Sequence, residues 1–313
     1  MSLVLVGSPA CLLHDMDPEH PEQPARLHSI NDQLLISGVE LSLQFLDSQA
    51  ATKEQLLLAH DKDFVEEVFN KSPSEGQQWL DDDTLMMPHS LTAALHAAGA
   101  GIEAVNKVLP REEECPEFMP VTTAFCAVRP PGHHAEHARS GGFCIFNNIA
   151  IAARYALEVR GLKRVAIVDF DVHHGNGTED IFKDDDRVMF CSSFQHPFYP
   201  FSGTDTTKAH IINTPIPAGT KGSEYRELVH HWFAKLDEFK PELLFISAGF
   251  DAHAEDDLGH LRLQEADYEW ISYELKAIAD KHCEGRIVSM LEGGYALGAL
   301  ARSVLTHIKV LMA

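Results

Sequence analysis

Short apolar runs alternate with longer amphipathic stretches along this chain. The runs Leu3–Val6, Leu41–Leu46, Thr122–Val128, Arg164–Asp169, Val188–Ser192, His210–Pro215, Glu242–Ser247 and Arg286–Leu291 read as strands. The stretches Pro24–Ile36, Lys53–Ala59, Asp63–Asn70, Pro88–Val108, Asn147–Val159, Thr178–Lys183, Ser223–Phe239, Glu265–His282 and Leu297–Met312 read as helices. Strands that alternate with helices predict an α/β fold, a parallel sheet with helices on both faces. No internal repeat and no Gly/Ser linker interrupts the pattern, so residues 1–313 are expected to form one domain. The acidic stretch Pro110–Pro120 reads as a surface loop.

In such sheets ligands lie beyond the carboxyl ends of the strands. Polar clusters that follow strands are therefore the place to look for chemistry, and four stand out. Arg164–Val168, apolar from Val165 on, leads into Asp169-Phe170-Asp171-Val172-His173-His174-Gly175-Asn176-Gly177. A buried strand has no structural reason to end in two acids and two imidazoles. Alternate strand residues face the same side, so Asp169, Asp171 and His173 are expected to converge. Carboxylates with an imidazole suit zinc or another divalent metal.

The second cluster is Ser247-Ala248-Gly249-Phe250-Asp251-Ala252-His253. Asp251 is a natural third ligand, which would leave an open metal position for water; a helix N-cap is its competing role. His253 and Asp256 are open as further ligands, but surface positions are the favoured reading. The third cluster, Arg129-Pro130-Pro131-Gly132-His133-His134, sets adjacent histidines in a stiff loop near an acid. That arrangement suggests a base oriented by a carboxylate. In the fourth, Leu291-Glu292-Gly293-Gly294-Tyr295, glycines let the Tyr295 hydroxyl reach into a crowded site to stabilise an oxyanion. A core or rim aromatic is the simpler role for Tyr295 taken alone.

Composition narrows the classes. With 313 residues, 45% of them hydrophobic, the chain can build a sizeable core. It has no apolar run of about 18 residues, so no membrane span is expected. The first residues read as a strand and not as a signal peptide, and the 6 cysteines are scattered with no Cys-x-x-Cys. Both point to a reducing, cytoplasmic compartment. The net charge of -22 disfavours nucleic-acid phosphates as partners. It suits a cationic substrate or partner, although solubility alone is the favoured reading.

The four clusters in this order resemble the histone deacetylase family of the arginase/deacetylase fold. Further matches are Gly141-Gly142-Phe143-Cys144-Ile145-Phe146-Asn147-Asn148 and His20-Pro21-Glu22-Gln23-Pro24-Ala25-Arg26-Leu27. Asn176 and the short length resemble its class II and bacterial branch. The resemblance covers nearly the whole chain and implies a three-layer α/β/α domain with an eight-stranded, mostly parallel sheet. It implies one zinc per chain on Asp171, His173 and Asp251, with iron(II) as an alternative. It makes His133 and His134 the tandem histidines, His134 being the general base and acid, Asp169 the partner of His133 and Asn176 that of His134. His174 is then left to pack or support. Tyr295 becomes the group that polarises the substrate carbonyl. Gly142 and Phe143 become one wall of an acyl-lysine tunnel, Tyr199 the opposite wall, Leu258 a rim residue, and Arg26 an arginine behind the metal near an acetate exit. Potassium is implied at Asp169, Asp171, His173, Ser192 and Ser193, and at an outer site of Phe182, Asp185 and Val188 carbonyls.

The implied activity is hydrolysis of acetyl or related acyl groups from lysine side chains of a peptide or protein. An acetylpolyamine deacetylase shares the chemistry, but Leu258 offers no charge to a distant ammonium. A two-manganese ureohydrolase shares the fold, yet the tandem histidines and Tyr295 do not suit it. An inactive acyl-lysine binder would be expected to have lost one of these residues. Oligomeric state is not legible.

Overall fold

The computed structural model describes residues 3–17, 19–110 and 121–313. Each apolar run becomes a strand. In chain order the elements are β1 (Leu3–Gly7), α1 (Ala25–Ser37), β2 (Leu43–Asp47), α2 (Lys53–Leu56), α3 (Lys62–Lys71), β3 (Gln78–Trp79), β4 (Leu85–Met86), α4 (Ser90–Val108) and β5 (Thr123–Cys126). There follow α5 (Asn148–Glu158), β6 (Val165–Asp169), α6 (Asn176–Phe182), β7 (Val188–Gln195), β8 (Ile211–Ile216), α7 (Gly222–Val229), α8 (His231–Phe239), β9 (Leu243–Ala248), α9 (Glu265–His282), β10 (Ile287–Leu291) and α10 (Leu297–Met312). Most of Pro110–Pro120, read above as a surface loop, lies outside the described residues.

Eight strands form one sheet in the order β2-β1-β5-β10-β9-β6-β7-β8. Every neighbouring pair in it is parallel. Strands β5, β6, β7, β9 and β10 are buried at every position, because helices cover both faces. Helices α4, α5 and α6 pack on one side, and α1, α10, α9 and α8 on the other. The buried side of α4 includes Ala93, Ala94, Ala97, Ala98, Gly101 and Ala104, small residues that let its neighbours approach closely; a Cβ at Gly101 would lie 2.8 Å from Ala152 of α5. None of the described helices is long and apolar enough to cross a membrane.

Two departures from the sequence reading have local causes. The helix expected over Ser223–Phe239 is interrupted at His230, whose backbone stays helical (φ -56°, ψ -31°). The break therefore leaves the apolar periodicity intact and sends no sequence signal. The antiparallel pair β3–β4 was not expected; its strands are two residues each, too short for a period-2 pattern to register.

Candidate active site

The four polar clusters sit at one end of four adjacent strands. After β5 the chain skips two places in the sheet to form β6, and β9 and β10 later fill the gap. Strand order reverses here, the position at which open α/β sheets bind ligands.

Asp171, His173 and Asp251 come together: one donor atom from each lies within 4.8 Å of the others. His173 Nδ1 is 3.1 Å from Asp171 Oδ1 and 3.2 Å from Asp251 Oδ2. The carboxylates are fixed from behind. Asp171 Oδ2 accepts from the Gly293 amide at 2.8 Å and Asp251 Oδ1 from the Val172 amide at 2.8 Å. Asp251 Oδ2 is buried without a hydrogen-bond partner. A buried, unpartnered carboxylate oxygen is costly unless a cation meets it. The cradle also depends on missing side chains: a Cβ at Gly293 would lie 2.1 Å from Asp251 Oδ2, and one at Gly249 2.0 Å from Asp171 Oδ2. Two carboxylates, one imidazole and an enclosing backbone fit a divalent metal.

Charge is shared tightly here. Burial opposes a charged His173, but Asp171 and Asp251 outweigh it and raise its pKa to about 10. Burial and the neighbouring Asp171 push the Asp251 carboxyl up. The His173 proton is shared with Asp171 Oδ1, while Asp251 Oδ2 faces the ring without a hydrogen bond.

Asp169 does not join this set, contrary to the strand alternation. Its Oδ2 lies 2.9 Å from His133 Nδ1 and its Oδ1 accepts from the Asp171 amide. The chain leaves β6 at Asp169, so the period-2 rule stops applying beyond it. Burial opposes protonation of His133, yet Asp169 and Asp171 hold its pKa well above the ordinary range. His134 moves the other way, since burial, His133 and His173 all depress it. Its Nδ1 lies 2.7 Å from Asn176 Oδ1. The tandem histidines are thus driven apart, into one cation and one neutral ring, which is the pattern of an acid/base site.

Tyr295 is clamped on both sides. Asp256 Oδ2 accepts from the Tyr295 and Ala296 amides at 2.6 and 3.0 Å. Arg26, fully buried, donates to the Gly294 carbonyl at 2.7 Å and to the Glu292 carbonyl, and lies 4.9 Å from the Tyr295 ring centroid. Enclosure by protein pushes the Tyr295 hydroxyl well above its usual range, so it remains a donor. The surface positions expected for Asp256 and His253 are not observed, because both are buried. Asp256 holds the tyrosine loop, while His253 stacks on Tyr268 and faces Glu265. His174 turns away from these three donors, with Ser202 at 3.0 Å and Glu179 at 2.8 Å.

Aromatic walls flank the cluster. Phe143 (φ 68°) sets its ring 4.7 Å from His20 and 6.1 Å from Tyr295. Gly142 has φ 57°, and a Cβ there would lie 2.3 Å from the His134 ring. Its amide donates to Asp83, on the β3–β4 turn, at 2.8 Å. Tyr199 stands 5.2 Å from His134 and 6.0 Å from His173. Its neighbour Phe198, not singled out from the sequence, stacks on His173 at 5.4 Å and 17°. Leu258 is half-buried, its amide donating to Asp256.

Of the positions read for potassium, Ser192 Oγ is buried and unpartnered, while Ser193 Oγ meets the Tyr225 hydroxyl at 3.0 Å. At the outer position the Phe182 carbonyl already accepts from the Asp185 amide and faces His210 Nε2, and the Asp185 carbonyl accepts from Val188. The Asp185 carboxylate is taken by Arg154 and Arg187.

The buried residues Glu292, Glu22 and Arg129 had no role in the sequence reading. Glu292 Oε2 accepts from the Gly132 and His133 amides at 2.7 and 3.1 Å, and so ties the tandem-histidine loop to β10. Glu22 takes Arg129 at 2.5 and 2.6 Å and Arg26 at 3.0 Å, all three fully buried. Their signal was the acid and arginine of the motifs themselves, but nothing local distinguishes a buried ion pair from a solvated one. Burial opposes the Glu22 charge, but the two arginines overcome it and lower its pKa to about 2. Its stabilisation is therefore present above the ordinary carboxylate pKa and is lost as pH falls toward 2. Glu22→Leu is expected to cost about 3–5 kcal/mol, since it strands two buried guanidinium groups. Chemical denaturation at neutral pH checks this, and a loss under 1 kcal/mol would contradict it.

The fold and the groups at its reversal point define a deacetylase, a hydrolase of amide bonds. The chain belongs to the histone deacetylase family, whose Histone deacetylase domain profile matches residues 20–311. It is 38% identical over 299 residues to a probable deacetylase of Archaeoglobus fulgidus, covering 92% of this chain and 80% of the relative. It is 35% identical over 328 residues to histone deacetylase 14, chloroplastic, of Arabidopsis thaliana, covering 98% and 76%. The crystal structure of the HDA15 HD domain superposes with a TM-score of 0.90 at 32% identity, covering 99% of this chain and 88% of that one.

Proposed function

We propose that residues 1–313 are one catalytic domain that hydrolyses the acetyl (or related acyl) amide of a lysine side chain, releasing acetate and the free amine. One zinc per chain would be held by Asp171, His173 and Asp251. The observation that carries this is the unpartnered Asp251 Oδ2 facing the other two donors, with neutral His134 beside them. Zinc, or iron(II) on the same donors, supplies Lewis-acid polarisation of a carbonyl and lowers the pKa of a bound water.

The chain's own groups do the rest. His134 takes a proton from the attacking water and returns it to the leaving nitrogen. Tyr295 donates its O–H to the oxyanion as it develops. His133, charged and fixed by Asp169, adds a positive field beside it. Phe143 and Tyr199 flank the aliphatic stem of the lysine, whose apolar length suits aromatic walls. Gly142 allows that wall to lie against His134, and Leu258 stands at the rim. Arg26 holds the Tyr295 loop from behind, on the side assigned to acetate release. A potassium ion on Ser192 Oγ and the backbone of Asp169, Asp171, His173 and Ser193 would satisfy the unpartnered hydroxyl; Phe182, Asp185 and Val188 form a weaker outer candidate. The five described free cysteines are all buried, which agrees with a reducing compartment such as the cytoplasm.

A second reading, an acetylpolyamine substrate, is favoured by one observation. Asp81, Asp82 and Asp83 lie on the turn beside the Gly142–Phe143 wall, a negative charge that suits a distant ammonium. A panel of acetyl-lysine peptides, acetylspermidine and acetylputrescine, with bound zinc quantified, separates the two. A higher kcat/KM on the peptides is expected. Preference for the polyamines would replace lysine as the substrate, and no hydrolysis of either by zinc-loaded protein would leave an acyl-lysine binder.

A further inference from the structure

We infer that Glu136 is a positioning residue that fixes the tautomer of His134 through Asn176. The inference rests on the deacetylase reading, in which His134 Nε2 must hold a lone pair.

Asn176 meets His134 Nδ1 with Oδ1 at 2.7 Å, and its Nδ2 donates to Glu136 Oε1 at 2.8 Å. A side-chain amide can turn over, exchanging its donor and acceptor ends. With Nδ2 toward the ring, Asn176 would force the proton onto Nε2 and remove the base. Glu136 prevents this, because its carboxylate accepts only: the turned amide would set Oδ1 against Glu136 Oε1 at hydrogen-bond distance. The alternative contact of Nδ2 with the His134 carbonyl is long, at 3.5 Å, and contributes little. Glu136 is itself held in a fork by Arg139, at 2.6 and 2.8 Å. Donation thus converges on Glu136, from Arg139 on one side and from His134 through Asn176 on the other, which places the ring proton on Nδ1 and leaves Nε2 free.

The arrangement also explains how a neutral asparagine serves behind a base. A carboxylate in direct contact would raise the affinity of His134 for its proton; the amide orients the ring without adding charge, and the carboxylate sits one residue further out. The ring is otherwise faced by His133, His173 and Tyr199, none of which meets Nδ1. A cavity of about 240 Å³ lined by Glu136, Arg139 and Asn176 opens at the outer end of the row, so a change at Glu136 does not disturb the core.

The test compares wild type, Glu136→Gln, and Glu136→Gln combined with Asn176→Asp, on an acetyl-lysine peptide. Glutamine keeps the size but accepts either orientation of Asn176. Its kcat is expected to fall about 10–100-fold with KM nearly unchanged, less than the full loss of a general base. Aspartate at 176 accepts only and needs no help, so the double variant is expected to recover most of kcat, with its acidic pH limb moved upward by the added charge. Full activity in Glu136→Gln overturns the inference. So does a loss that Asn176→Asp fails to relieve while thermal unfolding remains that of wild type. Inactive wild-type protein with zinc bound would instead overturn the deacetylase reading on which it rests.

Discussion

Adding zinc to the metal-free protein at about pH 7.5 is expected to release at least one proton per chain and to switch on an amidase activity that chelation abolishes. The negative charges of Asp171 and Asp251 hold a proton on His173 and raise its pKa to about 10. Metal and proton compete for the same donors, so binding must displace the proton. The sign follows. His173 has a raised pKa in the folded state, so its contribution to the metal-free fold is complete below its unfolded pKa and is lost as pH rises through about 10. Zinc affinity runs oppositely, weakening as pH falls. Calorimetry in two buffers of different ionisation enthalpy counts the protons. Zinc uptake with no proton release would place the metal elsewhere, and Asp251→Ala that still retains zinc would do the same.

Tyr295→Phe is expected to lower kcat about 100–1,000-fold, as for loss of one oxyanion donor, with zinc content and KM little changed. The phenylalanine ring keeps the contacts with Arg26 and Phe143, and the loop is held by backbone bonds to Asp256 and Arg26 that do not use the hydroxyl. Stability is therefore expected to stay within about 0.5 kcal/mol of wild type. The lost donor is specific to the transition state, so the effect belongs in kcat. Steady-state kinetics with metal analysis decides it, and a variant that keeps full activity with zinc bound would remove Tyr295 from the chemistry.

Much of this arrangement was legible because burial on both faces makes strands apolar throughout. The five fully buried strands were found that way, and β1, β2 and β8, partly exposed, from shorter apolar stretches, all within a few residues. The largest error was at β7, which runs on to Gln195. Ser192, Ser193 and Gln195 look like a strand end, yet they pair with β8 as far as Ile216. The donors Asp171, His173 and Asp251 and the partners of the two histidines were readable from motifs. What the sequence hid was the buried charge around them. Glu22, Glu292 and Asp256 find their partners across the sheet, from 107 to 160 positions away for Glu22–Arg129 and Glu292–Gly132, and no local pattern reports that. Asp256 and His253 were expected at the surface because their neighbours are polar, although backbone amides and an aromatic ring enclose them.

The place of β10 in the sheet has a consequence for how the enzyme comes into being. β10 is the last strand in the chain, yet it lies between β5 and β9. Until it inserts, the sheet can exist only as two unjoined halves. One half, containing β6 and β9, carries Asp171, His173 and Asp251; the other, ending at β5, carries the tandem histidines. The half with β6 and β9 carries the three candidate metal donors, but Tyr295 and the Gly293 amide that fixes Asp171 come with β10. The base joins them only when these long-range pairings close, the slow step for such a topology. Hydrolytic competence is therefore expected only at the end of folding, when β10 joins the two halves.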